Sequence, residues 1–239
     1  NSGTTQAWPQ YHQITPSLSL SANQGSIYVG QSGSFNVSCN YETGMTYNGN
    51  NVSGSFSDTF NTPGSIEVRV YTNEMYSGNQ HYIQVSKAVT QVVNKRTFTY
   101  SVVADSRGMY PGWHYDVRVT DSTGAYVSGM SAQMKLSTGH TLYSNSTTSG
   151  MLSFYVPDSI SPGEISYTIT PTSYNSTMYT GNGTSGSITL NNYASASTGY
   201  VGPSSPGTSG GWNNIGNISS NDNNPATSVS IANGSAPTM

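Results

Sequence analysis

Apolar and polar side chains alternate along most of this chain up to residue 190, a period of two that is typical of β-strands with one buried face. Ile66, Val68 and Val70 show the pattern, and Gly, Asn, Pro and Ser interrupt it at intervals of roughly 8–15 residues, as in all-β sandwiches. Only residues 87–95 fit a short helix, or alternatively an irregular strand. The sequence therefore predicts an all-β fold. The predicted strands are 17–21, 26–29, 34–40, 54–60, 65–72, 81–86, 97–104, 113–120, 125–128, 133–136, 152–156, 164–170 and 187–190.

A Pro-Gly pair precedes an alternating strand at three places, beginning at Pro63, Pro111 and Pro162. Proline fixes φ at the first corner of a turn, and glycine accepts a positive φ at the next corner. Each pair therefore predicts a type II turn that leads into a strand. This repeat describes architecture and carries no chemistry.

Two segments indicate the kind of sandwich. PSLSLSANQGSIYVGQSGSFNVSCNY, which begins at Pro16, resembles the opening of immunoglobulin-like modules in microbial surface proteins. PGWHYDVRVTDSTG, which begins at Pro111, resembles a late strand and turn of such modules. The resemblance implies immunoglobulin-like β-sandwiches, and we place one at 17–93 and another at 97–193, with a single extended sandwich as the alternative. Residues 1–16 form an N-terminal extension, and residues 194–239 form a low-complexity Gly/Ser/Asn-rich tail.

The charge content excludes several functions. Only 7% of the residues are charged, against about 25% in ordinary soluble domains, and seven scattered Lys and Arg offer no basic face to nucleic acid. No stretch approaches the roughly 18 apolar residues of a membrane span, so we expect none. The low charge fits either a hot or acidic exterior or compositional drift in a secreted protein, and both explanations stay open.

The residues that usually carry catalysis are sparse and scattered. The four histidines show no HxH or HExxH spacing, and no GxSxG elbow or close pair of carboxylates occurs. We therefore expect no metal site, no cofactor and no enzyme activity. Asp105, Asp116 and Asp121 flank turns and are expected to form those turns rather than a Ca²⁺ site. Trp113 is expected in the core.

Seven Asn-x-Ser/Thr sequences permit N-glycosylation, although 23 Asn in a chain this rich in Ser and Thr give about seven by chance. An extracellular, cell-surface location would make most of them occupied. The asparagines are Asn36, Asn51, Asn145, Asn175, Asn182, Asn217 and Asn233. Asn36 is expected on a solvent face, because Phe35 and Val37 alternate inward.

The two ends contain isolated apolar residues that cannot form a core of their own. Trp8, Tyr11 and Ile14 in the extension are predicted to contact another copy of the chain. A terminal segment would then complete the sheet of a neighbouring sandwich, with residues 4–15 as the first choice of donor and 226–233 as the second. Head-to-tail repetition of this contact would build a homopolymeric filament.

This picture is similar to the archaeal thread filaments, a family of extracellular pilus-like structures that join glycosylated β-rich subunits by donor strands and occur in thermoacidophiles. The resemblance implies self-assembly and N-linked glycans as partners. Two other functions stay open. One is an S-layer or adhesin-type surface glycoprotein module that binds glycans or neighbouring cells. The other is a secreted glycan-active enzyme, which would need two carboxylates within reach of each other.

Overall fold

The computed structural model describes Gly3 and residues 8–192, and every regular element in this range is a β-strand. No helix in the range is long and apolar enough to cross a bilayer. Residues 4–7 and the predicted tail, with its candidate donor 226–233, lie outside the described residues. The strands are β1 (His12–Ile14), β2 (Leu18–Ala22), β3 (Ser26–Tyr28), β4 (Ser32–Cys39), β5 (Met45–Tyr47), β6 (Asn50–Val52), β7 (Gly54–Thr59), β8 (Gly64–Thr72), β9 (Met75–Ser77), β10 (Gln80–Tyr82), β11 (Ser86–Asn94), β12 (Phe98–Val103), β13 (His114–Asp121), β14 (Ser131–Leu136), β15 (Thr141–Asn145), β16 (Met151–Tyr155), β17 (Gly163–Ser173) and β18 (Thr184–Leu190).

The first sandwich packs a sheet of order β2-β4-β7 against a sheet of order β3-β11-β8-β5-β6. The short β3 runs parallel to β11, while the other neighbours are antiparallel. Alternation along β4 buries Phe35 and Val37, and Asn36 between them faces solvent as predicted. The fully buried apolar core consists of Leu18, Leu20, Ile27, Val29, Phe35, Val37, Phe60, Val68, Val70 and Val93.

The second sandwich packs a sheet of order β12-β13-β16 against a sheet of order β15-β14-β17-β18. All its strand pairs are antiparallel. The core of this sandwich includes Val117 and Val119 of β13, Phe154 of β16 and Ile169 of β17, and each of these four side chains is at most 1% exposed. Each of the two hydrophobic cores lies within one of the predicted sandwiches.

The two sandwiches repeat one topology. In chain order β2, β4, β5, β6, β7, β8 and β11 correspond to β12, β13, β14, β15, β16, β17 and β18, and the sheet neighbours agree throughout. Even the parallel β3 has a counterpart, because Met109 makes a single parallel bridge to Leu190 of β18. The first sandwich differs by its extra hairpin β9–β10 between β8 and β11. This arrangement confirms the predicted immunoglobulin-like β-sandwich fold.

Only one of the three Pro-Gly pairs, at Pro111, forms the predicted type II turn. All three glycines have positive φ, with 130° at Gly64, 83° at Gly112 and 140° at Gly163. Only Gly112 matches the value of about 80° that a type II turn requires. Gly64 and Gly163 are more extended because they are already the first residues of the equivalent strands β8 and β17.

Several strand predictions were incomplete. Residues 87–94 belong to the regular strand β11, and residues 125–128 form no strand but a single bridge from Tyr126 to Thr120. The predicted strand 81–86 joins the end of β10 to the first residue of β11. The strands β1, β5, β6 and β9 escaped prediction because none of them shows a clear alternation over three residues, and β15 escaped because Leu142 is its only buried residue.

Candidate functional site

A small separate sheet stands at the N-terminal end of the first sandwich. It has the order β1-β10-β9, and we call it the tip sheet. β1 runs parallel to β10, and its ends are held by His12 N–H donating to Asn79 O at 2.6 Å and Ile83 N–H donating to Ile14 O at 3.0 Å. The extension therefore pairs with the hairpin of its own chain at this point.

One face of the tip sheet carries three aromatic side chains, Tyr11, Tyr76 and His81, which we call the aromatic cluster. The Tyr76 and His81 rings stack with centroids 4.2 Å apart, and the Tyr11 ring meets Tyr76 edge-on at 4.9 Å. Glu74 binds both partners of the stack, since its carboxylate accepts a hydrogen bond from the Tyr76 hydroxyl (3.2 Å) and lies 2.6 Å from His81 Nε2. Desolvation and this carboxylate raise the pKa of Tyr76, which keeps its hydroxyl a donor.

The opposite face of the tip sheet fixes it to the sandwich. Tyr82, Ile14 and Met75 lie in one cross-strand row on that face. The Tyr82 ring contacts Tyr41, in the loop that follows β4, at 5.1 Å. A main-chain bond from Asn73 N–H to Gly44 O (3.0 Å) ties the start of the hairpin to the same loop. The aromatic cluster is thus presented outward on a supported base.

Of the predicted subunit-contact residues, Tyr11 and Ile14 lie at the tip sheet, and Trp8 precedes it in the chain. Trp8 is 86% exposed and Tyr11 is 45% exposed, while Ile14 is half-buried. Of the predicted donor segment 4–15, residues 12–14 are not an unpaired strand, because they already pair with β10. The contact of these residues with another copy stays a prediction.

A junction between the sandwiches lies at the opposite end of β11. β11 itself has nine residues, Ser86–Asn94, and spans about 27 Å between the tip and the junction. Just beyond, the Arg96 guanidinium donates to Val29 O in the first sandwich, at 3.0 Å from Nε and 2.7 Å from Nη2. Its Nη1 donates to Asp121 Oδ2 in the second sandwich at 2.9 Å. One side chain therefore bridges both units.

The ion pair at this junction is shielded from water. The side chain of Asp121 is 1% exposed, and that of Arg96 is 14% exposed. Burial alone would raise the pKa of Asp121, but hydrogen bonds from Thr123 and Arg96 outweigh burial and lower the pKa. The carboxylate consequently remains ionised to lower pH than an ordinary aspartate.

The main chain reinforces the junction. Arg96 N–H donates to Met178 O at 2.7 Å, and Thr180 N–H donates to Arg96 O at 3.0 Å. Asn182 follows with a two-point contact, in which its Oδ1 accepts from Phe98 N–H (2.7 Å) and its Nδ2 donates to Phe98 O (2.8 Å). The connection between the sandwiches is therefore hydrogen-bonded along its length rather than a free linker.

An open groove lies between the edge strands β12 and β18 of the second sandwich. The inward face of β12 passes from Phe98, which is 4% exposed, through half-buried Tyr100 to Val102, which is 48% exposed. Together with Met109 and Ile188, Val102 lines a space of about 490 Å³. The core is uncovered at this corner of the sandwich.

The described glycosylation candidates occupy different environments. Asn36, Asn51, Asn145 and Asn175 are exposed and keep their amide nitrogens free of main-chain bonds, whereas Asn182 uses both amide atoms on Phe98. Asn217 and Asn233 lie outside the described residues. Occupancy of all seven stays a prediction.

Asp105 and Asp121 stabilise turns as predicted, whereas Asp116 lies within β13 and accepts a hydrogen bond from the Ser153 hydroxyl at 2.6 Å. Asp121 Oδ1 accepts hydrogen bonds from Thr123 N–H (2.8 Å) and Ala125 N–H (3.3 Å) and so forms the expected turn. Asp105 binds Arg107, which holds the pKa of Asp105 at about 2. In residues 8–192 no three potential metal-ligating side chains converge.

Trp113 departs from the prediction of a core position. It lies immediately before β13 and is half-buried, with its ring 4.8 Å from the Tyr110 ring and 4.7 Å from the Arg107 guanidinium carbon. The alternation that suggested a core residue begins only at Tyr115, because the Pro-Gly turn occupies the preceding residues.

Comparison with known proteins gives fold-level likeness only. No protein-family model matches the chain, and no curated protein matches it in sequence. A three-domain segment of titin (A168–A170) has a TM-score of 0.41 at 9% identity, over 73% of this chain and 65% of titin's segment, so the chain spans less than two thirds of it. The adhesin InvE of Yersinia pseudotuberculosis has a TM-score of 0.28 at 12% identity, over 74% of this chain and 59% of InvE. Domains 4 and 5 of the S-layer protein SbsC have a TM-score of 0.27 at 13% identity, over 73% of this chain and 97% of that structure.

Proposed function

We propose that this chain is a structural module of an outer cell surface, of the S-layer or adhesin type, and that it binds its partner through the tip sheet. The observation that carries the proposal is the outward-facing aromatic cluster of Tyr11, Tyr76 and His81, with Trp8 exposed beside it in sequence. Exposed aromatic residues gathered on one patch are typical of binding surfaces, where Tyr and Trp supply much of the contact energy.

The position of the cluster supports this function. The hairpin β9–β10 and the loop after β4 lie at the end of the sandwich where immunoglobulin folds carry their variable binding loops. The bridged junction at Arg96 lies at the other end of β11, so it leaves the tip free of the second sandwich. A hydrogen-bonded connection would hold the tip at a fixed distance from whatever follows the second sandwich.

The partner of the tip is a glycan or a protein on a neighbouring copy or cell. Aromatic faces suit the C–H surface of a sugar ring, and the Glu74 carboxylate beside them can accept sugar hydroxyl hydrogen bonds. Extracellular location and contact with other copies are parts of this proposal.

Binding of the purified chain to intact cells of the source and to immobilised surface glycans tests the proposal. Tyr76→Ala should weaken binding at least about tenfold, because an aromatic residue at the centre of a contact commonly contributes more than 1.4 kcal/mol. Tyr155→Ala is the matched control, since Tyr155 is 47% exposed on the second sandwich, far from the tip. Equal binding by both variants would contradict a role for the tip.

A filament assembled by strand addition is the second candidate, and the groove between β12 and β18 favours it. An incoming strand could pair with the outer edge of β12 and cover Val102. In this version the chain would be a glycosylated, donor-strand subunit like those of the archaeal threads. A donor role for residues 4–15 would require β1 to leave β10. Deleting residues 1–15 tests this version, because it should abolish polymers and leave a folded monomer.

A further inference from the structure

Two of the glycosylation candidates lie on corresponding strands of the two sandwiches, although at different distances from the hairpin turn. β6 and β15 are the corresponding edge strands of the larger sheets, and they carry Asn51 and Asn145. Both asparagine side chains are exposed. Asn145 Oδ1 accepts a hydrogen bond from the Ser131 hydroxyl at 2.7 Å, which leaves Nδ2 available.

An exposed tyrosine shares a sheet face with each of these asparagines. Tyr143 precedes Asn145 by two residues in β15, so both side chains lie on one face about 7 Å apart, and Tyr143 is 70% exposed. In the first sandwich Asn51 is opposite Thr46, and Thr46 is opposite Tyr71, which places Tyr71 two strands or about 10 Å away in the same row. Tyr71 is 42% exposed.

We propose that Asn51 and Asn145 carry N-linked glycans whose first sugar rings pack on Tyr71 and Tyr143. The C–H groups on one face of a pyranose ring carry partial positive charge, and the face of an aromatic ring is negative. A sugar attached to Asn145 reaches the adjacent ring directly, and a sugar attached to Asn51 reaches Tyr71 across the small Thr46. The glycans would thereby cover otherwise exposed tyrosine surface.

The modification itself is a glycosyl transfer by a separate enzyme. The donor is an activated sugar phosphate, such as a lipid-linked pyrophosphate. A bond forms between asparagine Nδ2 and sugar C1 while the C1–O bond to the phosphate breaks, and its electron pair leaves with the phosphate. The transferase base takes the proton that Nδ2 loses.

The consequence for the surface is steric. β6 and β15 are exposed edges, and an unprotected edge can pair with an edge of another molecule. A hydrated glycan over each edge would prevent such pairing at β6 in the first sandwich and at β15 in the second. The proposal does not depend on binding by the tip sheet.

Asn182 provides an internal contrast. In a glycosylated asparagine the sugar replaces the amide hydrogen on the same side as the carbonyl oxygen. That hydrogen is the one that Asn182 donates to Phe98 O while its Oδ1 accepts from Phe98 N–H. A sugar at Asn182 would break this pair, so we infer that Asn182 stays unmodified.

Glycopeptide mass spectrometry of the full chain purified from its source tests occupancy. We expect sugar on Asn51 and Asn145 and an unmodified Asn182. Bare Asn51 and Asn145 in that material would overturn the proposal, and so would a glycan at Asn182 in place of them.

Thermal unfolding of glycosylated and enzymatically deglycosylated forms tests the packing. Tyr143→Ser and Tyr71→Ser should each lower the Tm of the glycosylated form by about 4 °C more than that of the bare form. Tyr155→Ser is the control, because β16 bears no asparagine sequence for glycosylation, and it should shift both forms equally. If each of the three variants shifts the Tm of the glycosylated and bare forms by the same amount, the sugars do not pack on the tyrosines and the proposed packing is refuted.

Discussion

Replacing Arg96 by methionine should destabilise the protein by about 3 kcal/mol. The Asp121 side chain is 1% exposed, so the substitution leaves a buried carboxylate without its counter-charge. Removing one member of a buried ion pair costs about 3–5 kcal/mol, and we expect the lower end because Thr123 and Ala125 still donate to Asp121 Oδ1. The two hydrogen bonds to Val29 O also disappear, which should let the two sandwiches unfold in separate transitions.

Urea unfolding followed by circular dichroism measures this loss. Arg107→Met is the matched control, since its salt bridge with Asp105 is exposed to solvent, which screens the attraction, so the substitution should change the stability little. The double variant Arg96→Met with Asp121→Asn should recover part of the loss, because the unpaired charge is gone. A stability loss for Arg96→Met that is no larger than the loss for Arg107→Met would refute the buried bridge.

The stability difference between wild type and Arg96→Met should decrease at low pH. The pKa of Asp121 is lowered in the folded chain, so the stabilisation is fully present above the ordinary aspartate pKa of about 3.9. It is lost as the pH falls through the lower folded value. The gap between wild type and Arg96→Met should therefore be constant near neutral pH and shrink below about pH 4.

Three further predictions concern the first sandwich and the charge content. Gln91→Met should raise stability by about 1 kcal/mol in urea unfolding, because Gln91 is fully buried and its Oε1 has no partner among the described residues; a loss would reveal a bound water. Burial and Asp58 raise the pKa of Tyr47 to about 12, so Tyr47 should contribute stability that is present below about pH 10 and is lost towards pH 12. Tyr47→Phe should remove this contribution, and an unchanged alkaline unfolding curve would contradict the prediction. Far-UV circular dichroism should keep its β-sheet signal from pH 7 to pH 2, because few cations repel one another there; acid unfolding would leave compositional drift as the explanation of the low charge.

Alternation in the sequence predicts the long strands well because their inner faces are fully buried. β4, β8, β13 and β17 each place apolar residues at every second position, and burial on one face enforces the register. The sequence of β11 also fits a short helix, and the strands that escaped prediction altogether are only three to five residues long. Their positions depend on partners distant in sequence, such as β10 for β1, and no local pattern records such a partner.

The candidate site was only partly predictable for the same reason. The isolated apolar residues of the extension predicted a contact with another copy at Trp8, Tyr11 and Ile14. The stack of Tyr76 on His81 was missed, because no local pattern marks β9 or its pairing with the predicted strand 81–86. The Arg96 bridge was also missed, since its acceptor Val29 O is a main-chain atom that no sequence motif marks.

Hydrogen–deuterium exchange of the full chain, free and bound to its native surface or polymer, tests the central proposal most directly. The account predicts that binding slows exchange in the hairpin peptides 73–85 and in residues 8–14, with little change in 98–104. Protection of 98–104 at the β12 edge, with no change at the tip, would contradict it and would assign the contact to strand addition.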